Sequence, residues 1–180
     1  MEKIPHVFAL LLLSLSCGLF PTLPTEIPAN MQPTQPFIAN MESGELPNSA
    51  LVDFYDPARD PAEDLHQAII IAQNENKNIM LELGGDWCIW CKYMDDFYAA
   101  RADILQVRAE NYVLVKINVS NENDNAAFVS QFPEPSGYPH IYILDGSGNL
   151  LHSQNTAELE DGKISYNSEV FMAFLKEWAP

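Results

Sequence analysis

Cys88 and Cys91 stand three apart in Gly-Gly-Asp-Trp-Cys-Ile-Trp-Cys-Lys, and each follows a tryptophan. Two thiols at that spacing can hold a metal, close a structural disulfide or exchange electrons with another thiol pair. Zinc takes about four ligands, and one such pair supplies two. There is no second pair, and His66, His140 and His152 show no Cys/His spacing typical of zinc, so no metal is expected. A bridge across so short a loop restrains the unfolded chain by only about 2 kcal/mol in the loop-entropy model, against ~3 for fifteen residues. Electron exchange suits the spacing better. At a helix start the first sulfur meets unpaired N–H groups and the positive end of the helix dipole, which favour thiolate over thiol. The second sulfur, one turn on, is placed to resolve a mixed disulfide. Trp87 would supply an apolar lip beside Cys88.

Such a pair needs a strand to deliver it and a helix to hold it. Ile79-Met80-Leu81-Glu82-Leu83 is a short apolar run between turn signals and reads as a buried strand, with Gly84-Gly85-Asp86 as the turn after it. From Cys88 to about Glu110 the pattern is helical, with an interruption expected within residues 99–103 and Met94, Phe97 and Leu105 pointing inward. Upstream, Asp60-Pro61-Ala62-Glu63 combines a capping acid, proline at the first helical position and an acid three after the cap. Leu65, Ala68, Ile69 and Ala72 follow at helical spacing. Downstream, residues 112–119 are rich in β-branched types and form the clearest strand. A short helix is expected over residues 125–132. Two strands, 140–144 and 150–153, flank the glycine-containing loop Asp145-Gly146-Ser147-Gly148-Asn149. A last helix starts near Ser168 with Val170, Phe171, Phe174, Leu175 and Trp178 on one face. Helix–strand alternation ending in a hairpin implies an α/β fold, a mixed sheet with helices on both faces.

The segment resembles the active site of the thioredoxin superfamily, and the likeness extends past the cysteines over about residues 60–180. Glu82 falls where many members carry a buried acid that relays protons to the second cysteine. Val115-Lys116-Ile117-Asn118 is similar to the family's next strand, including the lysine often paired with that acid. Gly137-Tyr138-Pro139 falls where the family has its cis-proline loop facing the disulfide. Trp90 before Cys91 makes a Trp-Cys-x-Trp-Cys motif found in exported thioredoxin-like proteins. Ile89-Trp90 departs from the Gly-Pro that thioredoxin itself carries between its cysteines. The resemblance implies a thioredoxin fold and thiol–disulfide exchange, as reductase or isomerase. Cys88 would be the nucleophile, Cys91 the resolving thiol, Glu82 the proton relay and Lys116 its modulator. Trp87, Tyr138 and a cis Pro139 would form the substrate groove. It implies no cofactor, because the dithiol carries the electrons, and a monomer that meets client proteins bearing cysteines or disulfides. A client-binding or chaperone-like module with an idle disulfide is the alternative.

The surroundings agree with export. Residues 7–20 follow Lys3 as an apolar run too short for an ordinary membrane span and suited to a signal peptide over residues 1–20. Cleavage near residues 16–21, lipid attachment at Cys17 and retention as an anchor all stay open. Residues 21–58 are proline-rich and read as a linker, with Ala50-Leu51-Val52-Asp53-Phe54-Tyr55 apolar enough to dock on the domain at 59–180. That leaves two cysteines for the domain of a chain sent to an oxidising compartment, the bacterial periplasm by the resemblance. There a reductase needs a membrane electron donor. With 25 acids against 9 lysines and arginines, a formal charge of -16 disfavours nucleic acid and anionic lipid.

Overall fold

The computed structural model describes residues 50–180. The expected export signal over residues 1–20, Cys17 within it and the proline-rich stretch as far as residue 49 lie outside the described residues.

Helix α1 spans Pro61–Glu75. The Asp60 side chain accepts from the Ala62 N–H at its start, and Asn76 closes it in the left-handed region at φ 55°. A left-handed residue there lets Lys77 N–H reach the Ala72 carbonyl and turns the chain into the sheet. Strand β1, Asn78–Gly84, pairs in parallel with β2, Tyr112–Asn118, and antiparallel with β3, His140–Leu144. Strand β4, Leu150–Asn155, closes the sheet in the order β2-β1-β3-β4. β1 is buried along its whole length, because it is flanked on both edges and covered on both faces. Gly148 sits at φ 85° in the loop before β4, a conformation that any β-carbon strains.

Alternation along β1 divides the core. Ile79, Leu81 and Leu83 face α1, with Leu65, Ala68 and Ile69, and the four-residue helix α4, Ala126–Val129. Met80 faces the other layer: α2, Ile89–Ala100; α3, Ala102–Asn111; and α5, Ser168–Glu177. A 3-10 turn at Thr156–Leu159 leads towards α5. The architecture is thus the mixed sheet between helical layers that the residue pattern implies.

Two side chains differ from expectation. The helix breaks at Arg101, at φ -126° and ψ 82°, inside the expected interval. The break resets the inward face, so Ile104 is fully buried and Leu105 is 38% exposed. Val170, placed with the inward residues of the last helix, is 43% exposed, while Phe171, Phe174 and Leu175 are buried. In both cases the neighbouring residue, about 100° round the helix, takes the core. Residues 50–58 form no strand, yet Leu51 packs on the core and Tyr55 is buried.

Candidate active site

β1 ends at Gly84, a turn follows, and Cys88 caps the start of α2. Cys88 is joined to Cys91 in a disulfide with their Cα atoms 5.2 Å apart. The Cys91 N–H points at Cys88 Sγ at 3.1 Å, so one free donor of the helix's first turn already addresses that sulfur. A thiolate at Cys88 would receive the same hydrogen bond, now charge-assisted. Both cysteines are nearly enclosed, at 3% and 1% exposure, and they pack with Tyr55, Trp90 and Tyr138.

Trp87 and Ile89 flank this buried pair and are 59% and 54% exposed. The Trp87 indole N–H donates to the Val119 carbonyl at 2.7 Å, and its ring meets Tyr138 edge-on at 5.7 Å. The indole can lie there because Gly85 has no side chain: a β-carbon would come within 2.6 Å of Nε1. The Tyr138–Pro139 bond is cis, and the Pro139 carbonyl accepts from the Thr156 hydroxyl. A groove of about 640 Å³ runs from Trp87 past Pro57, Asn118, Glu122 and Asp124.

Behind the disulfide lies a buried polar group of four side chains. Glu82 shares the Met80 side of β1, and the parallel register sets Lys116 beside it. Glu82 and Lys116 side chains are both fully buried, with Nζ 3.5 Å from Oε1. Tyr55 donates its hydroxyl to the same Oε1 at 2.7 Å. Oε2 finds no hydrogen-bond partner among the described residues. Asp95 on α2 binds the Lys116 ammonium from the half-exposed side. Burial by itself would lower the Lys116 pKa, but Glu82 and Asp95 outweigh it and the net shift is upward. Burial, then the Glu82 charge, holds the Tyr55 hydroxyl well above the usual tyrosine value.

The fold therefore brings together all seven residues named from the sequence: Cys88, Cys91, Glu82, Lys116, Trp87, Tyr138 and Pro139. It adds three that were not named. Asp95, paired with the Lys116 ammonium, is the first. Its position four after Cys91 puts both on one helical face, a signal that could have found it. Gly84 is the second. A β-carbon on it would lie 2.4 Å from Cys91 Sγ and 2.8 Å from the Tyr55 hydroxyl. Tyr55 is the third, and no local spacing announces it. Among the described residues no three His, Cys, Asp or Glu side chains gather as metal ligands.

A family model described as thioredoxin-like matches residues 60–146. The thiol:disulfide interchange protein DsbD of Colwellia psychrerythraea is 33% identical over 87 residues, 47% of this chain and 14% of its own length. The protein disulfide isomerase-like 1-1 of Arabidopsis thaliana is 30% identical over 93 residues, 52% of this chain and 18% of its own length. The chain thus spans less than a fifth of the curated relatives it matches here. A solved structure titled as a disulphide isomerase from Xylella fastidiosa aligns over 68% of this chain and 95% of its own, with a TM-score of 0.59 at 21% identity. Residues 60–146 thus match a thioredoxin-like family model, and the fold is the thioredoxin fold.

Proposed function

We propose that the chain is an exported thiol–disulfide oxidoreductase that reduces or reshuffles disulfides in client proteins. The observation that carries this is the Cys88–Cys91 disulfide at the start of α2, with an N–H donor on the first sulfur and a buried carboxylate behind the second. Cys88 thiolate attacks a client disulfide. Cys91 then displaces the client from the mixed disulfide, Glu82 takes up the Cys91 proton, and Lys116 balances the Glu82 charge. Trp87, Tyr138 and Pro139 shape the client groove. The relatives' names, thiol:disulfide interchange protein and protein disulfide isomerase-like, support this chemistry.

Export to a bacterial periplasm rests on residues 1–20. N-terminal sequencing of extracytoplasmic material should find a chain starting after about residue 16; intact Met1 in the cytosol would overturn it. The fate of Cys17 and any membrane tether follow from the same experiment. A monomer kept reduced by a membrane electron donor completes the reading.

The poise decides reductase against oxidant. Extra donors or positive charge near the first sulfur make a pair strongly oxidising. Here Ile89 and Trp90 bring no charge, and the nearby Lys116 is engaged by Glu82 and Asp95. Equilibration with glutathione should give a potential between about −270 and −180 mV, the span from thioredoxin to protein disulfide isomerase. A value near −120 mV would make it an oxidant.

A second reading, a client-binding module with an idle disulfide, is favoured by the enclosure of Cys88 beside the exposed Trp87 and Ile89. A Cys91→Ser chain should trap clients covalently if exchange is the function. A Cys88→Ser chain that still protects clients would favour binding.

A further inference from the structure

We propose that Tyr55, carried by the segment ahead of the domain, is the proton relay between Cys91 and Glu82. The inference deepens the exchange reading above and rests on it. A resolving cysteine must lose a proton before it attacks, and Cys91, at 1% exposure, must give it to a neighbouring group. The Tyr55 hydroxyl and Cys91 Sγ converge on the space that a single β-carbon on Gly84 would fill. The hydroxyl hydrogen is already committed to Glu82 Oε1. Its oxygen keeps lone pairs with which to accept a proton.

The step balances as follows. The Cys91 S–H proton moves to the Tyr55 oxygen as the Tyr55 proton moves to Glu82 Oε1. The resulting thiolate attacks Cys88 Sγ and forms the Cys88–Cys91 bond. The bond between Cys88 and the client breaks, and the client sulfur leaves with the electron pair. The chain's dithiol is oxidised and the client is reduced. Tyr55 ends as it began, a neutral phenol, in keeping with a hydroxyl held far above its usual pKa.

Several contacts hold the segment for this task. Leu51 packs on the core, and Asn123 donates to the Pro57 carbonyl at 2.9 Å. Arg108 stands 3.9 Å from Asp53. The Lys116 ammonium lies 4.8 Å from the Tyr55 ring centre, a cation–π contact that fixes the ring over the Glu82–Lys116 pair.

The test uses the full chain and an aromatic nitrobenzoate disulfide whose released thiolate is coloured. The reduced chain frees one equivalent when Cys88 attacks and a second when Cys91 resolves. Tyr55→Phe should leave the first phase unchanged. It should slow the second by on the order of a hundredfold near pH 6, the lower end for one positioned proton-transfer group. The deficit should shrink at alkaline pH, where hydroxide can take the thiol proton without a relay. An equal deficit at every pH would mean a packing role and overturn the relay, as would a second phase that matches the unmodified chain. A normal solvent isotope effect on the second phase of the unmodified chain, lost at high pH, reads the same relay without a substitution; its absence also overturns it. An unmodified chain that frees no coloured thiolate overturns the proposed function and the relay together.

Discussion

Replacing Gly84 by alanine tests the closest approach in the site. The glycine is the last residue of β1, paired with Asn118, and its carbonyl accepts from Val119 N–H at 2.6 Å. The backbone is thus pinned and cannot retreat. The new methyl would stand 2.4 Å from Cys91 Sγ, 2.8 Å from the Tyr55 hydroxyl and 2.9 Å from its ring carbon. None of these atoms is the free end of a long side chain. Overpacking of that kind costs about 1–3 kcal/mol. Alanine also stiffens the unfolded chain, which favours the variant by about 0.4–1 kcal/mol. The net expectation is a loss of about 1–2 kcal/mol in the oxidised protein. In the dithiol the Cys91 sulfur can turn aside, so the reduced protein should lose less. The disulfide then becomes easier to reduce, with a potential raised by at most about 20–40 mV at 30 mV per 1.4 kcal/mol. Urea melts of both redox forms and glutathione equilibration measure the two quantities. An alanine variant as stable as the parent, with an unchanged potential, would refute the idea that sulfur and hydroxyl share that space.

Other outcomes follow from the buried groups. Lys116→Met strands the Glu82 carboxylate without its cation and should cost about 3–5 kcal/mol at neutral pH in chemical denaturation. The double variant with Glu82→Gln should recover part of this, and a double variant as unstable as the single would refute the pairing. In the parent the Lys116 pKa is raised, so its contribution holds below the ordinary value of about 10.4 and fades as pH rises through the folded one. His140, next to Pro139 and bonded through Nε2 to the Ser153 hydroxyl at 2.9 Å, has its pKa pushed down to about 4 by burial and by His152. It stays neutral in the folded state while the unfolded chain takes up the proton below about 6.5, so stability falls by about 3 kcal/mol from pH 6.5 to 4. Urea midpoints across that range should flatten in His140→Phe, and an unchanged slope would assign the acid sensitivity elsewhere.

What could be read without a structure was local. The Asp60 cap, the largely apolar β1, the helix start at Cys88 and the register-neighbour lysine each lie within one or two elements, where periodicity and turn chemistry speak. Glu82 and Lys116 were recognisable because a parallel β1–β2 pair repeats a family pattern. Tyr55 was not, because 27 residues separate it from Glu82 and only the docking of an irregular segment joins them. The Lys116–Asp95 pair depends on how α2 lies over the sheet, which no linear pattern fixes. Leu105 and Val170 failed by one helical position, since the break at Arg101 resets the inward face of α3 and, at the start of α5, Phe171 rather than Val170 turns inward.

The docking of residues 50–58 also bears on how such a protein can diverge. The match to the thioredoxin-like family model begins at residue 60, so Tyr55 lies outside it. A transplant cut at the boundary of similarity would carry both cysteines and the acid yet leave the hydroxyl behind. Conversely, drift in a surface strap, where substitutions leave β1 and α2 untouched, could tune how fast the second thiol reacts. The chemistry of the scaffold would then be adjustable from a part of the chain that comparison of domains overlooks.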